Sequence, residues 1–237
     1  MKSISLKLFG AAALVAAVLT ASAQNSETRK VNDFHGIGAS GAFHIHVTIN
    51  GQESLKITGP ADILKEIETP VENGTLEIRF RKDFYRENFN EKIDVYVSAK
   101  SISTLTSSGA VKIDVEEGAL TGEKVRVATS GAGKITSEIK ASALEATTSG
   151  AGNLNLKGNV SSAKYVLTGA GKLNAHDLKS EDVNITISGA GTAHIFADKT
   201  ISANLAGAGH VKYSGNATIK DYRSAGAGSI AKEKGEE

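Results

Sequence analysis

The 237-residue sequence has no cysteine, no tryptophan, one methionine and only two prolines. Without cysteine, neither disulfide bonds nor lipid attachment through a cysteine is possible, so burial and backbone pairing must hold the chain together. The composition, with 25 glycines and few aromatic residues, is atypical of both a helical protein and a disordered linker. The 27 basic and 26 acidic residues nearly balance, which argues against attraction to nucleic acid or to an anionic membrane.

The N-terminus has the pattern of a secretory signal peptide. Lys2 and Lys7 precede an apolar run over residues 8–19, and the small residues Ala21-Ser22-Ala23 follow. We predict a signal peptide over residues 1–23, and a mature chain with 25 basic and 26 acidic residues, a formal charge of −1. A membrane-spanning helix needs about 20 apolar residues, so we expect no transmembrane segment after cleavage. The predicted location is the periplasm, the outer cell surface or the medium.

A Gly-Ala-Gly tripeptide recurs in the C-terminal half. A degenerate copy begins at Gly109, and the spacings that follow are 22, 19, 19, 20, 18 and 19 residues. Self-similarity at a fixed short period indicates stacked coils. We therefore predict an all-β fold, a right-handed parallel β-helix (solenoid) with coils of about 19–20 residues. The corner glycines are Gly109, Gly131, Gly150, Gly169, Gly189, Gly207 and Gly226.

Aligning the coils on the corner glycine separates buried from exposed columns. The residue four positions later is apolar in nearly every coil, and the residue before it is polar, as in a strand with one buried face. The polar column contains Lys112, Lys134, Asn153, Lys172, Thr192, His210 and Ser229. The glycine is expected to adopt a positive φ, the following alanine to line the narrow inside of the corner, and the preceding hydroxyl residues to face the turns and neighbouring coils.

Residues 24–104 lack the repeat but still have β patterns. Strict alternation predicts strands over 42–49, 55–57, 76–81 and 93–97, and Pro60 begins a possible short helix over 60–67. Because Ser40-Gly41-Ala42 resembles the later corners, this part is expected to form two or three wider coils, a cap on the stack, or both. The predicted organisation is an N-terminal part over 24–104, repeats over 105–231 and a polar tail over 232–237.

Four segments together resemble a known family, the head GIN domain or auto-transporter adhesin head domain proteins that are common in Bacteroidetes. They are residues 31–37 (VNDFHGI), residues 40–45 (SGAFHI), residues 73–78 (NGTLEI) and the serial Ser-Gly-Ala-Gly corners. The resemblance spans nearly the whole mature chain. It implies a β-helical fold, export and an adhesive role, and it supplies no catalytic residues.

The sequence predicts no catalytic, cofactor or metal site. His44 and His46 share a strand face, but no third ligand is evident near them, so they are interpreted as ordinary residues of a polar face. The candidate carboxylates of a glycan-active β-helix enzyme fall in different columns, and no nucleophile motif or phosphate loop is present. These carboxylates are Asp177, Glu181, Asp182 and Asp198. We therefore predict that the protein is not an enzyme.

The segment 83–90 gathers aromatic and charged residues between two predicted strands. Phe84, Tyr85, Arg86 and Phe89 are the tentative partner-binding residues, since aromatic side chains on an exposed loop are typical of recognition sites. The alternative is that these rings fold back over the solenoid as a hydrophobic cap.

The functional hypothesis is an exported, non-enzymatic β-helical module that acts as an adhesin or binds the cell envelope. The partner is unknown, and a cell-surface glycan or protein is the leading class. One alternative is a structural envelope protein that self-associates through its β-edges, and another is a polysaccharide-active enzyme.

Overall fold

A computed structural model describes residues 25–85 and 91–233. These residues form twenty β-strands and one short helix, arranged as a β-solenoid of about seven turns, which confirms the predicted fold class. Within the described ranges, no helix is long and apolar enough to cross a membrane. The predicted signal peptide, Arg86, Phe89 and most of the polar tail lie outside the described residues.

The elements follow the predicted alternation closely. The helix is α1 (Ala61–Leu64). The strands are β1 (Asn25–Arg29), β2 (Gly36–Gly41), β3 (His44–Ile49), β4 (Ser54–Gly59), β5 (Ile67–Glu68), β6 (Val71–Glu72), β7 (Thr75–Phe80), β8 (Asp94–Ala99), β9 (Thr104–Gly109), β10 (Lys112–Glu117), β11 (Leu120–Gly131), β12 (Lys134–Gly150), β13 (Asn153–Gly169), β14 (Lys172–Ala175), β15 (Leu178–Gly189), β16 (Thr192–Phe196), β17 (Thr200–Gly207), β18 (His210–Ser214), β19 (Thr218–Gly226) and β20 (Ser229–Lys232).

Two parallel ladders meet at the corners. Strands that lead into a corner pair in the order β7, β2, β9, β11, β12, β13, β15, β17 and β19. Strands that leave a corner pair in the order β8, β3, β10, β12, β13, β14, β16, β18 and β20. The long strands β12 and β13 each run through both ladders. These two neighbouring coils are therefore paired along most of their length. The apolar columns, such as Ile113, Ile135 and Leu154, are buried between the ladders.

The corner glycines stack in one register and all have a positive φ, as predicted. Gly41 joins the column because it pairs with Gly109, so the stack of corners begins earlier than the sequence repeat. At six corners, from Ala110 to Ala208, the alanine donates its N–H to the glycine carbonyl of the preceding coil, for example from Ala170 to Gly150 over 2.9 Å. A Cβ on Gly169 would lie 2.7 Å from that same carbonyl oxygen. Glycine is therefore required by both the turn and the close approach of the coils.

The expected position of the alanine is wrong. The corner alanines are exposed to solvent, and so are the hydroxyl residues that precede the glycines. Neither of these two columns therefore points into the solenoid. The second glycine of the tripeptide lies inside instead. A Cβ on Gly152 would lie 2.6 Å from Thr129 Cγ2 and 2.7 Å from Thr148 Oγ1. The inside of this corner therefore requires a residue smaller than alanine, whereas the first two corners have the buried residues Phe43 and Val111 at the same position.

The N-terminal part stacks on the repeats. Strand β2 lies between β7 and β9, and β3 lies between β8 and β10, so residues of this part continue both ladders. Beyond β8 the pairing becomes antiparallel through β4 and β1. The helix α1 is shorter than the expected 60–67 because Ile67 already pairs with Phe80 in β5 and β7.

The C-terminal end of the stack differs from this N-terminal end. All nine residues of β19 are exposed, including the large apolar side chains of Ile219 and Tyr222. The edge strands at the N-terminal end are shorter, with five residues in β1 and two each in β5 and β6. Short edge strands are one way in which β proteins limit unwanted edge pairing, whereas a long exposed edge favours it.

The corner geometry predicts a large difference between two glycine-to-alanine substitutions. Gly51 also has a positive φ, but no atom would lie within 4 Å of an added Cβ, so Gly51→Ala should cost only the backbone strain of about 1–2 kcal/mol. Gly169→Ala adds a clash with the Gly150 carbonyl and should cost more than about 3 kcal/mol, at the upper end of single substitutions. Chemical denaturation of both variants measures this difference, and equal losses would contradict the role given to the corner.

Candidate functional site

The polar column predicted from the sequence is one continuous ladder. Lys112 pairs with Lys134, and the same register continues coil by coil to Ser229. Towards the N-terminal end the ladder extends to His44 and then to Asp94. We call the outward side chains of these strands the polar face. It comprises Asp94, Tyr96, His44, His46, Lys112, Asp114, Lys134, Thr136, Asn153, Asn155, Lys172, Asn174, Thr192, His194, His210, Lys212 and Ser229.

The middle of the polar face forms a shallow, open depression rich in amide side chains. Its volume is about 370 Å³. The polar residues that line this amide depression are Asn153, Asn155, Lys172, Asn174, Thr192 and His194. Carboxamides present both donors and acceptors, so the depression can hydrogen-bond a polar ligand in several orientations.

At the N-terminal end, the polar face contains a cluster of two histidines and one aspartate. His44 Nδ1 lies 3.5 Å from Asp94 Oδ1, and His46 Nε2 lies 3.2 Å from the same oxygen. The two imidazole centroids are 4.0 Å apart, and the ring of Tyr96 stacks on His46 at 4.7 Å. The side chain of Asp94 is only 6% exposed, and those of His44 and His46 are 21% and 17% exposed. The three groups therefore face one another at a largely sheltered place.

The outer nitrogen of each histidine contacts a carboxylate on β10. His44 Nε2 lies 2.8 Å from Asp114 Oδ2, and His46 Nδ1 lies 2.6 Å from Glu116 Oε1. Two lysines complete the surroundings. Lys112 Nζ lies 2.6 Å from Asp114 Oδ2 and 3.1 Å from His44 Nε2, and Lys92 Nζ lies 3.1 Å from Asp94 Oδ2.

These contacts shift the pKa values of the cluster. Burial alone would raise the pKa of Asp94, but hydrogen bonds from His46 and Lys92 hold it below its ordinary value. Burial likewise opposes ionisation of Asp114, while Lys112 and His44 lower its pKa. Burial would lower the pKa of His46, but its contacts with Glu116 and Asp94 raise it.

In the sequence no third group is evident near the histidine pair, but in the structure Asp94 contacts both rings. His44 could have been placed in the polar column by aligning Gly41 with the later corners, because both His44 and Lys112 lie three residues after a corner glycine. Asp94 carries no such signal, since β8 does not follow a Gly-Ala corner. Strand pairing alone brings it opposite His44.

The predicted aromatic loop separates into a packed residue and an exposed one. Phe84 stacks on Phe80 at 4.7 Å, and Phe80 stacks on Phe43 at 4.8 Å, so the Phe84 ring extends the core. Tyr85 is 84% exposed. Of the tentative partner-binding residues, Tyr85 is thus the one that the structure places in solvent, while Arg86 and Phe89 lie outside the described residues.

The four candidate carboxylates of an enzyme site have different partners. Glu181 pairs with Lys199 at 2.9 Å, and Asp182 accepts a hydrogen bond from Thr200 at 2.6 Å. Asp198 accepts the N–H of Asn216, and Asp177 lies 2.9 Å from the ring nitrogen of His176.

The fold is a β-solenoid with one exposed face of polar side chains in a continuous register. The chain belongs to the family described as "Putative auto-transporter adhesin, head GIN domain", which matches residues 33–217. No curated protein matches the chain.

Several solved structures have a similar fold. A putative adhesin from Bacteroides fragilis NCTC 9343 is 25% identical, with 89% of this chain and 97% of that chain covered and a TM-score of 0.82. A putative adhesin from Parabacteroides merdae ATCC 43184 is 21% identical, with 89% and 96% covered and a TM-score of 0.68. A structure named as a putative lipid binding protein from Parabacteroides distasonis ATCC 8503 is 21% identical, with 89% and 97% covered and a TM-score of 0.71. At 21% identity the last two indicate the fold alone.

Single substitutions should separate the two roles considered for the aromatic loop. Phe84→Ala should lower the free energy of unfolding by about 1–2 kcal/mol, because it removes a ring stacked on the core. Tyr85→Ala should change it by less than about 0.5 kcal/mol, as is usual for an exposed side chain. Thermal melts of the two variants test the packing, and loss of stability in the Tyr85 variant alone would contradict it.

Proposed function

We propose that this chain is an exported, non-enzymatic adhesin-like module that binds an extended partner at the cell envelope along its polar face. The observation that carries the proposal is the unbroken register of the polar face from Asp94 to Ser229. Such a surface offers hydrogen-bonding groups at the regular spacing of neighbouring strands, about 4.8 Å. Membership of a family described as an adhesin head supports the same class of function.

A glycan is the partner class that this chemistry favours. The amide depression combines asparagine, lysine, threonine and histidine side chains, which can donate to and accept from sugar hydroxyls. Tyr96 adds a half-exposed aromatic ring further along the same face. The face mixes charges of both signs, so binding would depend on hydrogen bonds more than on net charge.

Export is part of this proposal. The basic, apolar and small-residue pattern over residues 1–23 is that of a signal peptide, and an adhesive function requires a location outside the cytoplasm. The absence of cysteine is compatible with export because the stacked backbone pairing replaces disulfides as the source of stability.

The proposal predicts that the amide depression can be disabled without unfolding the protein. The double substitution Asn155→Ala and Asn174→Ala removes two neighbouring carboxamides from it. We expect at least a tenfold loss of binding on an array of bacterial and host glycans, because each lost hydrogen bond contributes about 0.5–1.5 kcal/mol. The melting temperature should stay within a few degrees of that of the unmodified protein.

A matched control is available on the other ladder. Asn184 and Asn204 are exposed asparagines on β15 and β17, so Asn184→Ala with Asn204→Ala removes the same groups from a different surface. This control should bind like the unmodified protein. Equal binding by both double variants would contradict the assignment of the polar face.

A second candidate is a structural envelope protein that self-associates end to end. One observation favours it, the nine-residue exposed edge of β19 with Ile219 and Tyr222. Size-exclusion chromatography with light scattering distinguishes the candidates. Open-ended assembly would support the structural protein, whereas a discrete monomer or small oligomer would support the adhesin.

A further inference from the structure

We propose that His44, His46 and Asp94 form a binding site for a divalent transition-metal ion, with Zn²⁺ as the best match. The inference is independent of the proposed adhesive function, because it depends only on the geometry of these side chains and their neighbours. One nitrogen from each ring and one carboxylate oxygen lie within 4.8 Å of one another.

The separations of the donor atoms match a tetrahedral ion. Zinc binds imidazole nitrogen and carboxylate oxygen at about 2.0–2.1 Å, so two ligands of a tetrahedral site are about 3.3 Å apart. The distances from Asp94 Oδ1 to His44 Nδ1 and to His46 Nε2 are 3.5 and 3.2 Å. The two donor nitrogens lie within 4.8 Å of each other, so rotation of the rings towards each other would place three donors around one ion.

In one tautomer of the two neutral imidazoles, both inner nitrogens are free to bind an ion. A neutral imidazole has one N–H donor and one acceptor nitrogen. In this tautomer the outer nitrogen of His44 donates its N–H to Asp114, and the outer nitrogen of His46 donates its N–H to Glu116. The two inner nitrogens then point their lone pairs at an oxygen of Asp94, which also only accepts. A cation between these three acceptors would satisfy them together, whereas without one a proton on the inner nitrogen provides the hydrogen bond, as from His46 to Asp94.

The second layer of contacts has the form typical of metal centres. Histidine ligands of metals usually donate their other N–H to a carboxylate, which fixes the tautomer and the orientation of the ring. Asp114 and Glu116 supply such carboxylates from β10. Lys92 binds Oδ2 of Asp94 and leaves Oδ1 directed at the histidines.

The charge around the site also favours a cation. Three carboxylates, those of Asp94, Asp114 and Glu116, face only two ammonium groups, those of Lys92 and Lys112. With neutral imidazoles the cluster carries one excess negative charge. Three protein ligands also leave a fourth position of a tetrahedral ion open to water or to an acidic group of a bound partner.

Zinc titration of the purified, chelator-treated protein tests the proposal. Isothermal titration calorimetry should show one Zn²⁺ per chain with micromolar or tighter affinity, and Zn²⁺ should raise the melting temperature. His46→Gln, His44→Gln and Asp94→Asn should each weaken binding at least tenfold and abolish the thermal shift. Glu116→Gln should weaken it less, since it removes a supporting contact only.

The matched controls are His194→Gln and His210→Gln, which remove exposed histidines from other coils of the same face. They should bind Zn²⁺ like the unmodified protein. The proposal is overturned if the protein shows no saturable Zn²⁺ binding below about 100 μM, in which case protons on both rings balance the cluster. It is also overturned if the His46 and His44 variants keep full affinity. Circular dichroism of the metal-free variants identifies any variant that does not fold. The Zn²⁺ affinities of the folded ligand variants then test the proposal.

Discussion

The hydrogen bond from the corner alanine N–H to the glycine carbonyl of the preceding coil, which recurs from Ala110 to Ala208, is the contact on which the solenoid depends. It brings the backbones so close that an added Cβ would meet that carbonyl, as at Gly169. Because the bond recurs at equivalent positions from Gly41 onwards, it sets the register of both ladders at once. The chain has no cysteine, so this repeated close approach, together with the buried apolar columns, takes the place of covalent links.

The common register also determines what the surface can do. From Lys134 to Ser229 the polar face has only basic and uncharged polar side chains, with Asn155 stacked on Asn174 in its middle. In the N-terminal coils the side chains change at every step, from Asp94 to His44 to Lys112. A repetitive surface suits an extended, repetitive partner, whereas a varied cluster suits a single small ligand. The proposed glycan-binding surface and the proposed metal site therefore lie on different parts of one face.

The period of the sequence was sufficient to predict the solenoid, the glycine corners and the polar column. It could not show which member of the Gly-Ala-Gly tripeptide points inward, because alanine and glycine are both small. The structure places alanine outside and the second glycine, such as Gly152, inside. The period also fails before residue 104, where insertions separate the strands by irregular lengths. Asp94 lies 48 residues from His46 in a strand without a corner, so only the pairing of β8 with β3 brings them together.

Because the corners have equivalent structures, the length of the solenoid can change by whole coils. If one unit such as residues 150–168 is removed or duplicated, the next corner glycine still occupies the same register position. Both ends of the solenoid and both ladders are therefore retained. Each added unit would lengthen the protein by one strand spacing, about 4.8 Å. Such changes should be tolerated best where adjacent coils have similar interiors, as at Leu167, Ile187 and Leu205, which stack on one another. Unequal recombination between repeats could thus adjust how far the polar face extends without redesigning it.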